Sequence, residues 1–291
     1  PFTQEGYGFI YNAAILNKAG INPDEITSYA KLEEAVKKLD AKKAELGLEA
    51  VFAVAGKETW VTGLHFTNAA LSPEFENVFN AFNAKKIDFK YSEGMKKLFD
   101  LQINYAKKPV NSVDYSTQVE KLFSLGKVAF MQQGNWTLGA IKGIDEELAA
   151  NIGFLPMPIV GAKEDSIPVG IPMYWTVNST KDEKTQAASK AFLNWMYTSE
   201  KGKDAIINKF GFIPPFKGFD SPDLQPKDAL AKDIMKYASA GKTIQWVFMG
   251  YPSGWGMEKI GVDLQKYVDG KLTWDQLIEN GKKSWEEARK Q

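Results

Sequence analysis

The stretch Gly126-Lys-Val-Ala-Phe-Met-Gln-Gln-Gly-Asn-Trp136 decides the fold. Val128 to Met131 is an apolar run, Gln132 to Asn135 a polar break, and Trp136 a bulky aromatic at the head of the next segment. Upstream, Val119, Leu122, Phe123 and Leu125 fit one face of a short helix, which Gly126 stops. The reading is helix, glycine stop, buried strand, turn, and an indole at the mouth of a new helix. In α/β proteins ligands settle just past the carboxyl ends of strands. An indole there either closes the core or offers a stacking surface.

Working outward, Phe2 to Asn12 alternates and is aromatic, which predicts a strand; Gly6 and Gly8 mark a bulge or flexing point in it. Ile15 to Gly20 is a helical turn with a glycine stop. Ser28 or Thr27 caps a helix reaching Gly47, with Leu32, Ala35, Val36 and Leu39 inward. Val51 to Val54 is a buried strand, and a helix starts near Trp60. Ser72-Pro73 is read as the start of a helix with Phe75, Val78, Phe79 and Phe82 inside. Ile171 to Val177 is read as a strand. Lys184 to Thr198 is an amphipathic helix burying Ala188, Ala191, Phe192, Trp195 and Met196. Residues 216–227 form a Pro- and Asp-rich loop. Helices follow at about 228–239 and 255–269, the latter with Met257, Ile260, Gly261, Leu264 and Val268 inward, and Thr273-Trp-Asp-Gln276 is a capping box. Helices alternate with strands through the first 160 residues, so an α/β layer fold is expected.

Composition narrows the function. Lys plus Arg and Asp plus Glu both total 36, so no basic field exists for nucleic acid or an anionic membrane. The absence of cysteine removes disulfides, thiolate metal sites and a cysteine nucleophile. A single histidine, His65, removes most catalytic triads and zinc sites. Phosphate-binding glycine loops and hydrolase elbows are missing too. No catalytic residue, metal or cofactor is assigned. Aromatic residues reach 13%, which in a neutral chain suggests a ligand that is stacked upon.

Four stretches together resemble the family 1 extracellular solute-binding proteins, the maltose-binding-protein-like carbohydrate receptors of bacterial ABC importers. They are Pro1 to Pro23 with its Thr/Ser-capped helix; Val119 to Trp136; Ala187-Ala-Ser-Lys-Ala-Phe-Leu-Asn-Trp-Met-Tyr-Thr-Ser-Glu200 followed by Gly211-Phe-Ile-Pro214; and Gly270-Lys-Leu-Thr-Trp-Asp-Gln-Leu277. The resemblance implies a periplasmic-binding-protein-like type II two-lobe fold. Members usually begin with on the order of ~100 further residues, so a nearly complete C-terminal lobe plus part of the N-terminal lobe is expected here. Residues 1–6 would be the hinge strand, 7–160 and 216–291 the C-terminal lobe, and 161–215 a return segment building the other lobe. Gly6 and Gly170 would be hinge points.

The resemblance also implies site residues. Trp136 and Trp255 match sugar-stacking positions, and Glu5 a sugar-hydroxyl acceptor. Tyr174 and Trp175 alternate on a cleft-crossing strand, so one of them would face the ligand. Trp60 follows a cleft-bordering loop. Trp246 and Phe248 precede Gly250-Tyr-Pro-Ser-Gly254, where substrate-specific aromatics sit. Asn135, with Gln132 and Gln133, would meet sugar hydroxyls. His65 is read as a helix residue, and Trp195, Trp274 and Trp285 as core. The implied activity is non-catalytic binding of a carbohydrate, an oligosaccharide before a monosaccharide, and its delivery to an ABC permease. A monomer outside the cytoplasm is expected, in the periplasm or at the cell surface, peripheral to the membrane, with a lipid anchor on a preceding segment as one form. A receptor for a non-sugar solute and, behind it, a glycoside-acting enzyme are the alternatives.

Overall fold

Strand β1, Glu5–Asn12, carries the sheet. The computed structural model describes residues 1–219 and 221–290; Asp220, inside the predicted 216–227 loop, and Gln291 fall outside the described residues. Strands β2 (Phe52–Ala53), β3 (Phe130–Gly134), β4 (Ile152–Leu155), β5 (Ile167–Gly170) and β6 (Thr243–Ile244) join β1 in the order β2-β3-β1-β5-β6, with β4 also on β1. β3 runs antiparallel along one edge of β1, from Tyr7 opposite Gly134 to Tyr11 opposite Phe130. The other edge is shared. β4 pairs from Phe9 to Asn12, and β5 pairs at Glu5 and Gly6.

The two-residue period of a strand sends alternate side chains to opposite faces. Here it sorts two cores. Tyr7, Phe9, Phe52, Phe130 and Leu155 enter one; Ile10, Ala53, Met131 and Phe154 enter the other. Helices cover both faces, giving the α/β layering expected from the sequence. A third, small core of Met196, Ile206, Ile207 and Phe219 holds the later excursion together.

Local chemistry sets the element ends. Asn12 caps the helix Ala13–Ala19 by accepting the Ile15 N–H at 3.1 Å, and Gly20 closes it at φ 67°. Ser28 caps Tyr29–Ala41, which ends short of Gly47. The Thr273–Gln276 capping box forms both of its bonds. The ladder of β1 with β3 is unbroken through Gly8, so the expected bulge is absent there. Instead, Gly6 and Gly8 admit close neighbours. A Cβ on Gly6 would lie 2.7 Å from the Ile234 side chain, and one on Gly8 2.5 Å from the Leu155 carbonyl oxygen.

Several expected core residues lie outside. The helix Thr67–Phe75 contains Pro73 and stops at Glu76; Asn77 then caps a separate helix, Val78–Asn83. That restart turns Phe79 and Phe82 outward, at 74% and 61% exposure, and buries Ala81. Leu125 and Met257 are exposed. In the helix Glu183–Thr198 only Met196 is buried; Phe192 and Trp195 stack on each other at the surface, 5.8 Å apart, so Trp195 is not a core residue. Trp274 and Trp285 are. Residues 171–177 form no strand. β5 ends at Gly170, Pro172 has no N–H to donate, and the segment's backbone tie is the Phe2 N–H to the Met173 oxygen at 2.9 Å.

Candidate ligand-binding site

β3 ends at Gly134 and the chain turns through Asn135–Thr137 into the helix Leu138–Ile144. Trp136 folds back over the strand end. A Cβ on Gly134 would sit 2.1 to 2.5 Å from three atoms of its ring, so only glycine leaves room for the indole there. The ring is also held by its edge. Trp136 Nε1 donates to Gln133 Oε1 at 3.0 Å, Gln133 Nε2 donates to Gln118 Oε1 at 2.8 Å, and Gln118 Nε2 donates to the Ala53 oxygen at 2.8 Å. Both glutamines are buried. With its N–H used internally, the half-buried indole has only its apolar faces left without a hydrogen-bonding role.

Around Trp136 lies a continuous aromatic basin. Ring centroids are 6.3 Å away for Trp60, 6.4 Å for Tyr7 and Trp246, and 5.3 Å for His65. His65 is its centre. It stacks on Tyr7 at 4.3 Å and 14°, meets Trp60 edge-on at 5.2 Å, and lies 5.8 Å from Trp246 and 5.2 Å from Phe248. The Tyr7 hydroxyl donates to the His65 carbonyl at 3.0 Å, which ties β1 to the helical turn Val61–Phe66. Trp60, Trp136 and Phe248 are half-buried; Tyr7, His65 and Trp246 form the floor. Burial pushes the His65 imidazole down to about 3, so it is neutral.

Polar groups at the rim are few. Asn135 Oδ1 accepts the Gly6 N–H at 3.1 Å, fastening the turn to β1. Gln132 donates to the Val61 oxygen at 3.0 Å from a buried position, so Gln132 and Gln133 serve the scaffold, not a ligand. Glu5 stands at the start of β1 opposite Gly170, with no side-chain hydrogen bond or ion pair among the described residues. Burial raises its carboxyl to about 6. Trp60 Nε1 donates to Glu58 at 3.1 Å. Trp246 packs on Gly170, where a Cβ would lie 2.6 Å from its ring. Neither Gly6 nor Gly170 has a positive φ; both are small because a side chain is pressed onto them.

Thus Trp136, Trp60, Trp246 and Phe248 come together, with Asn135 adjoining through Gly6. Trp255 does not join them and is corrected to a core residue. It is 1% exposed, its Nε1 donates to the Gly281 oxygen at 3.0 Å and Ser284 Oγ at 3.1 Å, and it meets Trp285 edge-on at 4.9 Å. A glycine contact seats it there: a Cβ on Gly63 would lie 1.9 Å from the Gly256 oxygen, so the turn Trp255–Ile260 is pressed onto Val61–Phe66. Tyr174 and Trp175 also lie apart from the basin's ring contacts. Both are exposed and, without a strand, the expected alternation does not operate. Trp175 packs edge-on against Phe2 at 4.7 Å and donates to the Tyr197 hydroxyl at 2.7 Å. His65, which reads in the sequence as an ordinary helix residue, lies instead at the centre of the ring cluster. Its partners come from residues 7, 60, 136, 246 and 248, a convergence no local spacing displays.

A separate cavity of about 210 Å³ lies between Tyr11, Asp24, Phe154, Asp233 and Tyr237. Its lysines are paired, Lys236 with Asp24 at 3.0 Å and Lys242 with Asp165 at 3.1 Å, and Asp233 accepts the Phe154 N–H at 2.7 Å. The aromatic basin is therefore the stronger candidate. Among the described residues no cluster of three or more His, Asp or Glu is placed to hold a metal ion, and no helix is long and apolar enough to cross a membrane.

Residues 1–203 match the bacterial extracellular solute-binding protein family, and the chain belongs to that family. Its fold is the α/β two-lobe binding-protein fold of solved relatives. One is a chitin oligosaccharide binding protein, 20% identical, with all of this chain covering 71% of that one at a TM-score of 0.79. A second is the apo form of RafE from Streptococcus pneumoniae, 18% identical, with 99% of this chain covering 71% at 0.75. A third is a manno-oligosaccharide specific solute binding protein from Bifidobacterium animalis subsp. lactis in complex with mannotriose, 20% identical, with 99% covering 70% at 0.69. No curated protein sequence matches the chain.

Proposed function

We propose that this protein binds an uncharged carbohydrate, an oligosaccharide, in the aromatic basin and delivers it unaltered to the permease of an ABC importer. The observation that carries this reading is the joined set of Trp60, Trp136, Trp246 and Phe248 around a neutral His65. Pyranose rings present C–H groups on their faces, and aromatic faces bury them while excluding water. Trp136, with its N–H tied to Gln133, is the stacking platform. Glu5, unpaired and half-buried, is the acceptor for sugar hydroxyls. The family membership supports solute capture, and relatives that bind chitin oligosaccharide, raffinose and mannotriose support the ligand class.

Residues 7–160 and 216–291 act as one lobe, and 161–215 enter the other. The lobes hinge where β1 meets β5, at Glu5 with Gly170 and Gly6 with Val169. Ligand touching both lobes shifts the population toward the closed form, which the permease recognises. The protein works as an extracytoplasmic monomer. A glycosidase would need two carboxyl groups facing one another across the bound sugar. Glu58 is a poor second, because its oxygens accept from Trp60 Nε1 and the Tyr115 N–H. Calorimetry of the protein against chito-, galacto-, manno- and malto-oligosaccharides tests the proposal. Heat and saturation with at least one are expected, lost in Trp136→Ala. Binding of a polyamine or metal cation with no response to any sugar would refute it.

A further inference from the structure

The basin's indoles differ in what their polar edges do. Trp60 and Trp136 give their N–H groups to Glu58 and Gln133. Trp246 Nε1 is sealed from solvent with no partner among the described residues. His65 goes further. It is 8% exposed and is gripped by rings on several sides, yet neither imidazole nitrogen has a hydrogen-bond partner among the described residues. Nor do its nitrogens belong with the sealed, unpartnered atoms, which are Thr62 Oγ1, Asn111 Oδ1, Trp246 Nε1 and Arg289 Nε. The 8% exposure that His65 keeps leaves its ring within reach of a ligand.

Buried polar groups almost always find partners, and an unpaired one calls for an explanation. We propose that His65 is a specificity-setting contact of the site, its neutral ring hydrogen-bonding a hydroxyl of the bound saccharide while Trp136 packs on a pyranose face. This rests on the carbohydrate reading above. A neutral imidazole carries one donor nitrogen and one acceptor nitrogen, and a hydroxyl can both donate and accept. A hydroxyl therefore satisfies whichever nitrogen it meets, in either tautomer. A carboxylate can only accept and an ammonium only donate, so each suits one nitrogen. The enclosing rings of Tyr7, Trp60, Trp136, Trp246 and Phe248 carry no formal positive charge to hold a carboxylate beside the imidazole. The ring thus selects for a hydroxyl at one position of the ligand. A site that hydrogen-bonds a hydroxyl rejects the analogue lacking it far better than an apolar pocket distinguishes sizes.

The test compares wild type, His65→Phe and His65→Gln by calorimetry, using the oligosaccharide that binds wild type best and its monodeoxy analogues. Phe keeps the stack on Tyr7 and removes both nitrogens; Gln restores a donor and an acceptor. Kd should rise about tenfold in His65→Phe and recover in part in His65→Gln. One deoxy analogue should lose affinity for wild type and lose none further for His65→Phe, the signature of a coupled pair. Ligand should also shift the imidazole 15N resonances of wild type. Equal affinity of wild type and His65→Phe, or the same deoxy penalties in both, would overturn the role of His65 and leave the carbohydrate reading standing. A wild type that binds no saccharide overturns both. If His65→Phe does not fold, the 15N resonances decide, and no shift on saturation with sugar overturns the proposal.

Discussion

Replacing His65 with Phe should make the protein's stability less sensitive to acid. Burial lowers the imidazole from 6.5 to about 3. The native state therefore refuses a proton that the unfolded chain accepts. For a base with a depressed folded pKa, the contribution is whole above 6.5 and is lost as pH falls from 6.5 toward 3. At pH 5 the unfolded state has gained about 1.5 pH units of protonation, worth about 2 kcal/mol at 1.36 kcal/mol per unit. At pH 7 the term is about 0.2 kcal/mol or less. His65→Phe has no such term, while Glu5, whose raised pKa acts in the opposite direction, is common to both proteins. The difference in unfolding free energy between the two should therefore move by about 2 kcal/mol in the variant's favour between pH 7 and pH 5. Urea unfolding followed by far-ultraviolet circular dichroism at pH 7, 6 and 5 measures it. A difference constant within about 0.5 kcal/mol across that range would mean that the imidazole is not held neutral by burial, and the reasoning fails.

Gly134→Ala would place a methyl group within 2.5 Å of the Trp136 ring; the indole must leave its seat, and affinity for saccharide should fall about tenfold or more, read by calorimetry with tryptophan fluorescence reporting the displacement. Trp255→Ala should destabilise the fold by about 3–5 kcal/mol, whereas Trp136→Ala should cost affinity and little stability; urea unfolding beside ligand titration separates them, and the reverse pattern would exchange their assignments. Because the Glu5 carboxyl sits near 6, it is charged above that pH and protonates below it; affinity for ligand should weaken between pH 7 and pH 5, and a pH series should find that dependence reduced in Glu5→Gln.

The opening stretch was legible because each of its signals is local. The apolar run, the glycine stop and the Trp beyond them have short-range causes and mark β3 and its returning indole. But the strand runs on through Gln132, Gln133 and Gly134, which read as a polar turn, because these residues pair with Phe9, Gly8 and Tyr7 of β1. Trp255 was not legible. An indole at the head of an amphipathic helix reads the same whether it faces a ligand or Trp285, and what settles it is a contact between Gly63 and Gly256 that only the folded chain brings together. Phe192 and Trp195 illustrate a different limit. Periodicity identifies the apolar face of the helix Glu183–Thr198 but not what, if anything, covers it. Residues 171–177 have strand-forming side chains, yet a strand also requires a neighbour with free backbone groups, which composition does not report. His65 combines both difficulties, since its surroundings are assembled from five distant positions.

The glycines of β1 have one more effect. Tyr7 and Phe9 occupy odd positions and Gly6 and Gly8 even ones. A slip of one residue would exchange the two faces of the strand. It would carry Tyr7 and Phe9 to places where even a methyl group comes within 2.5 Å of the Leu155 oxygen or 2.7 Å of Ile234. The alternation of ring and bare backbone therefore works as a key that turns in one position only. The same register that clears these contacts also places Tyr7 beneath His65.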